Sequence, residues 1–319
     1  MPAPDFDVTI CGTCVADMLV RPVPLGAAIG GGRLFHVEPI EVTTGGIVCN
    51  TGIALERLGN RVAALSLVGD DVWGRLVRDR LVAEGIDAGG LETHPSLATS
   101  TTAALIDPSG ERSFAHHVGA PAALDAAFLE RHRPLAARSR WVLVGYVGLL
   151  PALEPALAPV LAGLRSCGCR VALETGGSGG SLDHVAPALP YVDCYVPSLD
   201  EAVHQTGLDD PRAIVARYRE AGCPGIVGVK LGTRGVILSA SAAEPAIIEI
   251  PCVPAPGPVA DTTGAGDAFL AGLIAGLLRG MPLAEAGRLG AATAAWCVTG
   301  VGATAGLRSF AETLALARR

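Results

Sequence analysis

The sequence has a single lysine, Lys230, and carries the rest of its positive charge as arginine. Aromatic residues make up 4% and charged residues 17% of its 319 positions, and the net charge is −7. No basic cluster is present, so nucleic acid is not an expected partner. An anionic ligand would have to be held by local dipoles, not by the field of the whole molecule. The start, Met1-Pro2-Ala3-Pro4-Asp5, lacks a basic stretch leading into an apolar run, so no secretion signal is expected and the cytoplasm is the expected compartment. One uncharged run, Leu289 to Leu307, has the length to span a bilayer. It is rich in Gly and Thr and poor in Leu and Ile, which predicts a buried helix running into a tight loop and no membrane. The nine cysteines are odd in number and scattered, as expected of reduced thiols. Cys11 and Cys14 have metal-like spacing, but no matching second pair follows; they read as small buried hydrophobes.

What is present is apolar. Hydrophobic residues make up 50% of the chain, enough for a large core. Short β-type runs alternate with Ala/Leu-rich stretches. Strands are predicted at Phe6–Cys11, Val62–Val68, Trp141–Val144, Arg170–Glu174, Cys194–Val196 and Ile226–Lys230. Helices are predicted at Asn50–Leu58, Val72–Glu84, 125–136, 151–166, 199–207 and 211–222, and across 264–299 with a second helix opening at Pro282. Continuous apolar strands alternating with helices predict an α/β fold: a central, mostly parallel sheet with helices on both faces. Residues 13–44 and 97–118 break that pattern. They hold short extended pieces, Arg33–Val42, Leu97–Ile106 and Arg112–Val118, with a turn at Asp107-Pro108-Ser109-Gly110. They read as a small β-sheet lid on a single domain covering 1–319.

The most informative stretch is Asp261-Thr262-Thr263-Gly264-Ala265-Gly266-Asp267, followed by an apolar helix. Two glycines at a helix start let backbone N–H groups approach an anion, and the helix dipole adds positive charge there. An acidic residue in that turn also suits the dipole by itself. Beside a bound phosphate, however, a carboxylate repels unless it has a task, and deprotonating an attacking hydroxyl is such a task.

All seven positions match the C-terminal signature of the ribokinase-like (PfkB) family, which the chain resembles from about residue 6 to 310. The resemblance implies ATP-dependent phosphoryl transfer to a hydroxyl, with Asp267 as general base and the backbone of Gly264, Ala265 and Gly266 as anion hole. Gly45-Gly46-Ile47-Val48-Cys49-Asn50, before a helix ending in Arg57-Leu58-Gly59, resembles the family's N-terminal motif. It implies that Gly45, Gly46 and Asn50 bind the sugar; read alone, the glycines are a loop and Asn50 a helix cap. Val68-Gly69-Asp70-Asp71-Val72-Trp73-Gly74 and the lid turn ending in Gly110-Glu111-Arg112 are similar to family segments too. Asp17 stands where the family holds the substrate hydroxyls. Lys230, Gly232, Arg234 and Gly235 resemble the turn under the nucleotide, and alone read as a hairpin turn. Ser198 and Glu201 stand at the family's N-x-x-E motif, implying Mg²⁺ held through water by Glu201; read alone they form a capping box. Asp261, Thr263 and the 299–304 loop fall where members bind a monovalent cation such as K⁺.

The departures concern the acceptor. Val15 stands where many ribokinases carry Asn. Gly46-Ile47 lacks the lysine of the G-G-K-G form, and Leu173-Glu174-Thr175-Gly176-Gly177 lacks D-x-N-x-R. The acceptor is therefore expected to be a sugar or sugar-like molecule, with a nucleoside as the alternative. Exposed lid edges predict a homodimer through the lid. Two readings of other classes compete. Gly176-Gly177-Ser178-Gly179-Gly180 fits the nucleophile elbow of a serine hydrolase, with Asp193 and His204 following in order, although Gly-Gly-Ser is a poor helix opening. A non-catalytic nucleotide- or sugar-binding protein would need no base at Asp267. A P-loop is absent, since the sole lysine follows Val229, and His132-Arg133-Pro134 is not a protein-kinase catalytic loop.

Overall fold

The computed structural model describes residues 4–26, 30–108, 110–177 and 179–319. Two sheets organise them. The strands are β1 (Phe6–Cys11), β2 (Val15–Val20), β3 (Glu41–Gly45), β4 (Val62–Gly69), β5 (Asp87–His94), β6 (Ser100–Ile106), β7 (Arg112–His117), β8 (Ser139–Gly145), β9 (Arg170–Glu174), β10 (Cys194–Tyr195), β11 (Ile226–Lys230), β12 (Val236–Ser239) and β13 (Ile247–Ile250). The nine-stranded sheet runs β13-β12-β11-β10-β9-β8-β1-β4-β5. It is parallel from β5 to β11 and closes with the antiparallel pairs β11–β12 and β12–β13.

The helices are α1 (Gly46–Arg57), α2 (Val72–Ala83), α3 (Ala126–Arg131), α4 (Arg133–Ala136), α5 (Leu157–Ser166), α6 (Leu182–Val185), α7 (Leu199–Thr206), α8 (Pro211–Glu220), α9 (Ala265–Leu278), α10 (Leu283–Cys297) and α11 (Phe310–Ala317). They cover both faces of the large sheet. Along β8, Trp141 and Leu143 enter the core formed with α1, α9 and α10, while Val142 and Val144 enter the core formed with α3, α5 and α8. That is the period-two alternation of a strand buried on both sides. The run from Leu289 to Leu307 is the end of α10 and a following loop, and among the described residues no helix is long and apolar enough to cross a membrane. Cys11 and Cys14 are buried free thiols.

The second sheet, β3-β2-β6-β7, is built from the two segments that lacked helical pattern. Four expectations need correction, the first being that the helix expected at 151–166 begins only at Leu157, after a short 3-10 turn. The extended piece expected at Arg33–Val42 is a strand only from Glu41. The helix expected to start at Asn50 starts at Gly46, so Asn50 is not its cap; the first turn is held by Val48 N–H on the Thr13 carbonyl, 3.2 Å. The 125–136 helix is broken at His132, just before Pro134. Ser109 of the lid turn and Ser178 of the G-x-S-x-G segment lie outside the described residues.

Candidate active site

In a parallel sheet the crevice beyond the carboxyl ends of the strands is where ligands bind. β9 ends on Glu174, β11 ends on Lys230, and Tyr146 follows the end of β8. The start of α9 faces the same crevice. Its cap, Gly264, has φ 75°, a left-handed conformation only glycine takes without cost, and a Cβ there would run into Ala303. The Ala265 N–H reaches the Thr262 carbonyl at 3.3 Å. The N–H groups of Gly266 and Asp267, in the first turn, have no acceptor within the helix.

Asp267 is the third residue of α9 and only 5% exposed. Its Oδ2 accepts from Asn50 Nδ2 at 2.8 Å and from the Tyr146 hydroxyl at 2.8 Å. Burial pushes its carboxyl up. The two hydrogen bonds and Lys230 pull it back, Glu201 pushes it further, and it ends above the usual carboxylate range. Tyr146 has φ 56°, the one non-glycine residue with positive φ among those described, a strain of about 1–2 kcal/mol.

Lys230 is largely buried, with Nζ 3.3 Å from Glu174 Oε1. A side chain added at Gly266 would first meet that Nζ, at 3.1 Å, so the ammonium faces the start of α9. Burial alone would lower the lysine pKa; Glu174, Glu201 and Asp267 outweigh it and keep the group charged. Burial pushes Glu174 up to about 7, with Lys230 opposing and Glu201 and Asp267 adding. Its other oxygen, Oε2, is buried without a partner.

Two cavities flank this cluster. One, of about 330 Å³, lies under the lid sheet and includes Asn50 and Tyr146 in its wall. Cross-strand register puts Thr43, Asp17, Thr102 and His116 in one row of the lid face that lines it. Thr102 Oγ1 lies 2.9 Å from His116 Nδ1. Burial pushes Asp17 up to about 6, partly offset by Thr102. The next row outward, Leu19, Ala104 and Phe114, is apolar. Gly46, at φ 78°, allows close approach to the Thr13 carbonyl, and a Cβ at Gly45 would collide with the Asp17 carboxylate. Asn50 Oδ1 is buried without a partner. Thus Asp17, Gly45, Gly46 and Asn50 are brought together, with Asn50 turned half toward Asp267.

The other cavity, of about 460 Å³, is lined by Lys230, Gly232, Gly235, Ala265, Gly266 and the apolar Phe269, among others. Arg234 is exposed and outside that lining. Ser198 and Glu201 form the capping box of α7, with Ser198 N–H and Oγ both on Glu201 Oε2 at 2.7 Å. The Asp261–Asp267 loop divides the two cavities: Thr262 lines the second, Thr263 the first. From the lid, Arg112 reaches across to this loop. Its Nη2 lies 2.5 Å from Asp261 Oδ1 and its Nη1 donates to Thr263 Oγ1. Asp261 also accepts the N–H of Thr263 (2.6 Å) and of Gly302 (2.8 Å).

Sequence reasoning missed Tyr146, Glu174 and the Arg112 tie. Glu174 had a signal, as the last residue of a predicted strand; Tyr146 had none. Of the hydrolase reading's described residues, Asp193 is engaged elsewhere, its Oδ2 accepting the Val171 N–H, and His204 is exposed.

Comparison with known proteins agrees with this geometry. The model of the pfkB family of carbohydrate kinases matches residues 12–309. A ribokinase of Haemophilus influenzae is 29% identical over 312 residues, covering 96% of this chain and 97% of its own. A 1-phosphofructokinase of Rhodobacter capsulatus is 34% identical over 268 residues, covering 81% and 80%. Among solved structures, a ribokinase of Arabidopsis thaliana complexed with ribose and ATP superposes with TM-score 0.83 at 23% identity, covering 99% of both chains.

Proposed function

The chain belongs to the pfkB family of carbohydrate kinases, and we propose that it transfers the γ-phosphoryl group of ATP to a hydroxyl, a primary CH₂OH, of a sugar or sugar-like molecule, with Asp267 as general base. The observation that carries this reading is one buried carboxylate between two cavities: Asp267 is bonded to Asn50 and Tyr146 of the one and directly follows Gly266 of the other. ATP occupies the cavity under Lys230 and Gly266, its base against the apolar wall and its phosphates toward the start of α9. The acceptor lies under the lid, its hydroxyls on Asp17, on the Asn50 carbonyl oxygen and against the Gly45-Gly46 backbone.

Asp267 removes the hydroxyl proton as the acceptor oxygen bonds to the γ-phosphorus and the bond to the β-phosphate oxygen breaks, releasing ADP. The free amides of the α9 start and the Lys230 ammonium face the charge that builds on the phosphoryl oxygens. The lid, tied down by Arg112, excludes water that would compete as acceptor.

Three carboxylates, Glu174, Glu201 and Asp267, act on the single ammonium of Lys230. That excess of buried negative charge fits a divalent cation, and Glu201 and Glu174 would hold Mg²⁺ through water. Bound there, Mg²⁺ would neutralise phosphate charge. Asp261 does not fit a monovalent cation in this arrangement: one of its oxygens already carries the Arg112 guanidinium and a backbone N–H, and the other carries a second N–H. No step is therefore assigned to K⁺. The lid edges β3 and β7, the latter almost wholly exposed, support pairing of two lids in a homodimer.

The apolar row Leu19–Ala104–Phe114 is also suited to the base of a nucleoside, so nucleosides belong with free sugars, sugar acids and sugar phosphates in the test. ADP release is measured with each acceptor. Turnover on at least one polyol or nucleoside supports the reading. ATP binding with no phosphoryl transfer to any acceptor would make the protein a non-catalytic binder.

A further inference from the structure

We propose that Tyr146 is a positioning residue for the base: together with Asn50 it holds one oxygen of Asp267 and leaves the other free to take the acceptor proton. The inference rests on the phosphoryl-transfer reading above. Both donors reach the same atom, Oδ2, each at 2.8 Å, from different elements of the fold. Among the described residues no protein donor bonds Oδ1. A carboxylate on a helix start could rotate about its terminal torsion, which is soft. Two hydrogen bonds converging on Oδ2 fix the plane and so fix where Oδ1 points.

Three features show that Tyr146 is placed for this task. Its backbone is in the left-handed region, a conformation that only an over-determined surrounding retains. It lines the acceptor cavity. Its ring lies against Gly176, where a Cβ would come within 2.7 Å of the ring atoms; Gly176 gives the ring room to reach Asp267. Burial and the neighbouring carboxylates hold the phenol well above its usual range, so it stays a donor. The other ionisable groups acting on Asp267 are Lys230, Glu201, Glu174 and Cys297. None of them is within hydrogen-bond reach of its oxygens.

The test compares wild type with Tyr146→Phe in turnover, KM for both substrates and the pH dependence of kcat. The ring and its packing are kept; only the hydroxyl is lost. The expected result is a tenfold to hundredfold loss in kcat, little change in KM for ATP, and an acid limb moved to higher pH because the carboxylate has lost a donor. Gly176→Ala, which crowds the ring, should lower kcat in the same direction with Tyr146 intact. Unchanged kcat and an unmoved acid limb in Tyr146→Phe would overturn the proposal. If Tyr146→Phe is silent while Asp267→Asn is inactive, only the positioning role falls. If Asp267→Asn retains turnover, the general-base reading falls instead.

Discussion

Asp17 shows what the acceptor cavity costs the fold. Its carboxyl sits at about 6 in the folded protein against about 3.9 in an unfolded chain. A raised folded pKa contributes stability only while the group is protonated, and that contribution is lost as pH rises from 4 through 6. At pH 8 the ionised group is held at a penalty on the order of 3 kcal/mol. Asp17→Asn should therefore unfold at higher urea than wild type at pH 8, with the difference shrinking toward pH 4.5, while acceptor KM rises. Equal stability of the two proteins at pH 8 would show that Asp17 is not strained by burial. Individual residues were unevenly legible in the sequence. Asp267 and Gly264–Gly266 stand in one continuous motif at a helix start, where the dipole and the missing Cβ atoms give a reason for each. Tyr146 is an isolated aromatic after a strand, 121 residues from the carboxylate it bonds. Nothing local distinguishes it from a core residue.

At the scale of elements, the small second sheet and the loop before α9 are joined by one side chain. Arg112 on β7 pairs with Asp261 and bonds Thr263, so closing the lid and shaping the loop before α9 are linked. Arg112→Ala leaves Asp261 buried without its charged partner, which is costly, and frees the lid edge. The expected outcome is a rise in acceptor KM of about tenfold or more, together with a larger fraction of ATP hydrolysed to water. Measured side by side, ADP and phosphate release report that fraction; an unchanged ratio would mean the lid does not depend on Arg112. The buried parallel strands were legible to the residue at Phe6–Cys11, Arg170–Glu174 and Ile226–Lys230, because short β-type runs, alternating in the first and apolar in the other two, admit little else. β5, β12 and β13 were not. β5 carries Gly89-Gly90 in its middle, and β12 and β13 are four-residue strands at the antiparallel end, too short for a period to show.

For the whole molecule, the lid sheet leaves β7 along an open edge, with Phe114 60% exposed. The proposed dimer through that sheet would cover it. Sedimentation should give twice the mass of 32.3 kDa for the wild type and a shift toward monomer for Ala115→Lys, which puts charge on the exposed strand; a wild-type monomer at all concentrations would contradict the pairing. On the proposed reading one carboxylate serves both substrates. The carboxyl ends of β8, β9 and β11 deliver Tyr146, Glu174 and Lys230 to the start of α9, where Asp267 stands between the cavity lined by Tyr146 and the cavity lined by Lys230. The most direct measurement is single-turnover phosphoryl transfer by Asp267→Asn with an accepted acceptor, alongside ATP affinity. A general base at Asp267 predicts ATP binding within a few-fold of wild type and transfer slower by about 10² to 10⁴. Transfer at a near-normal rate in that variant would contradict it.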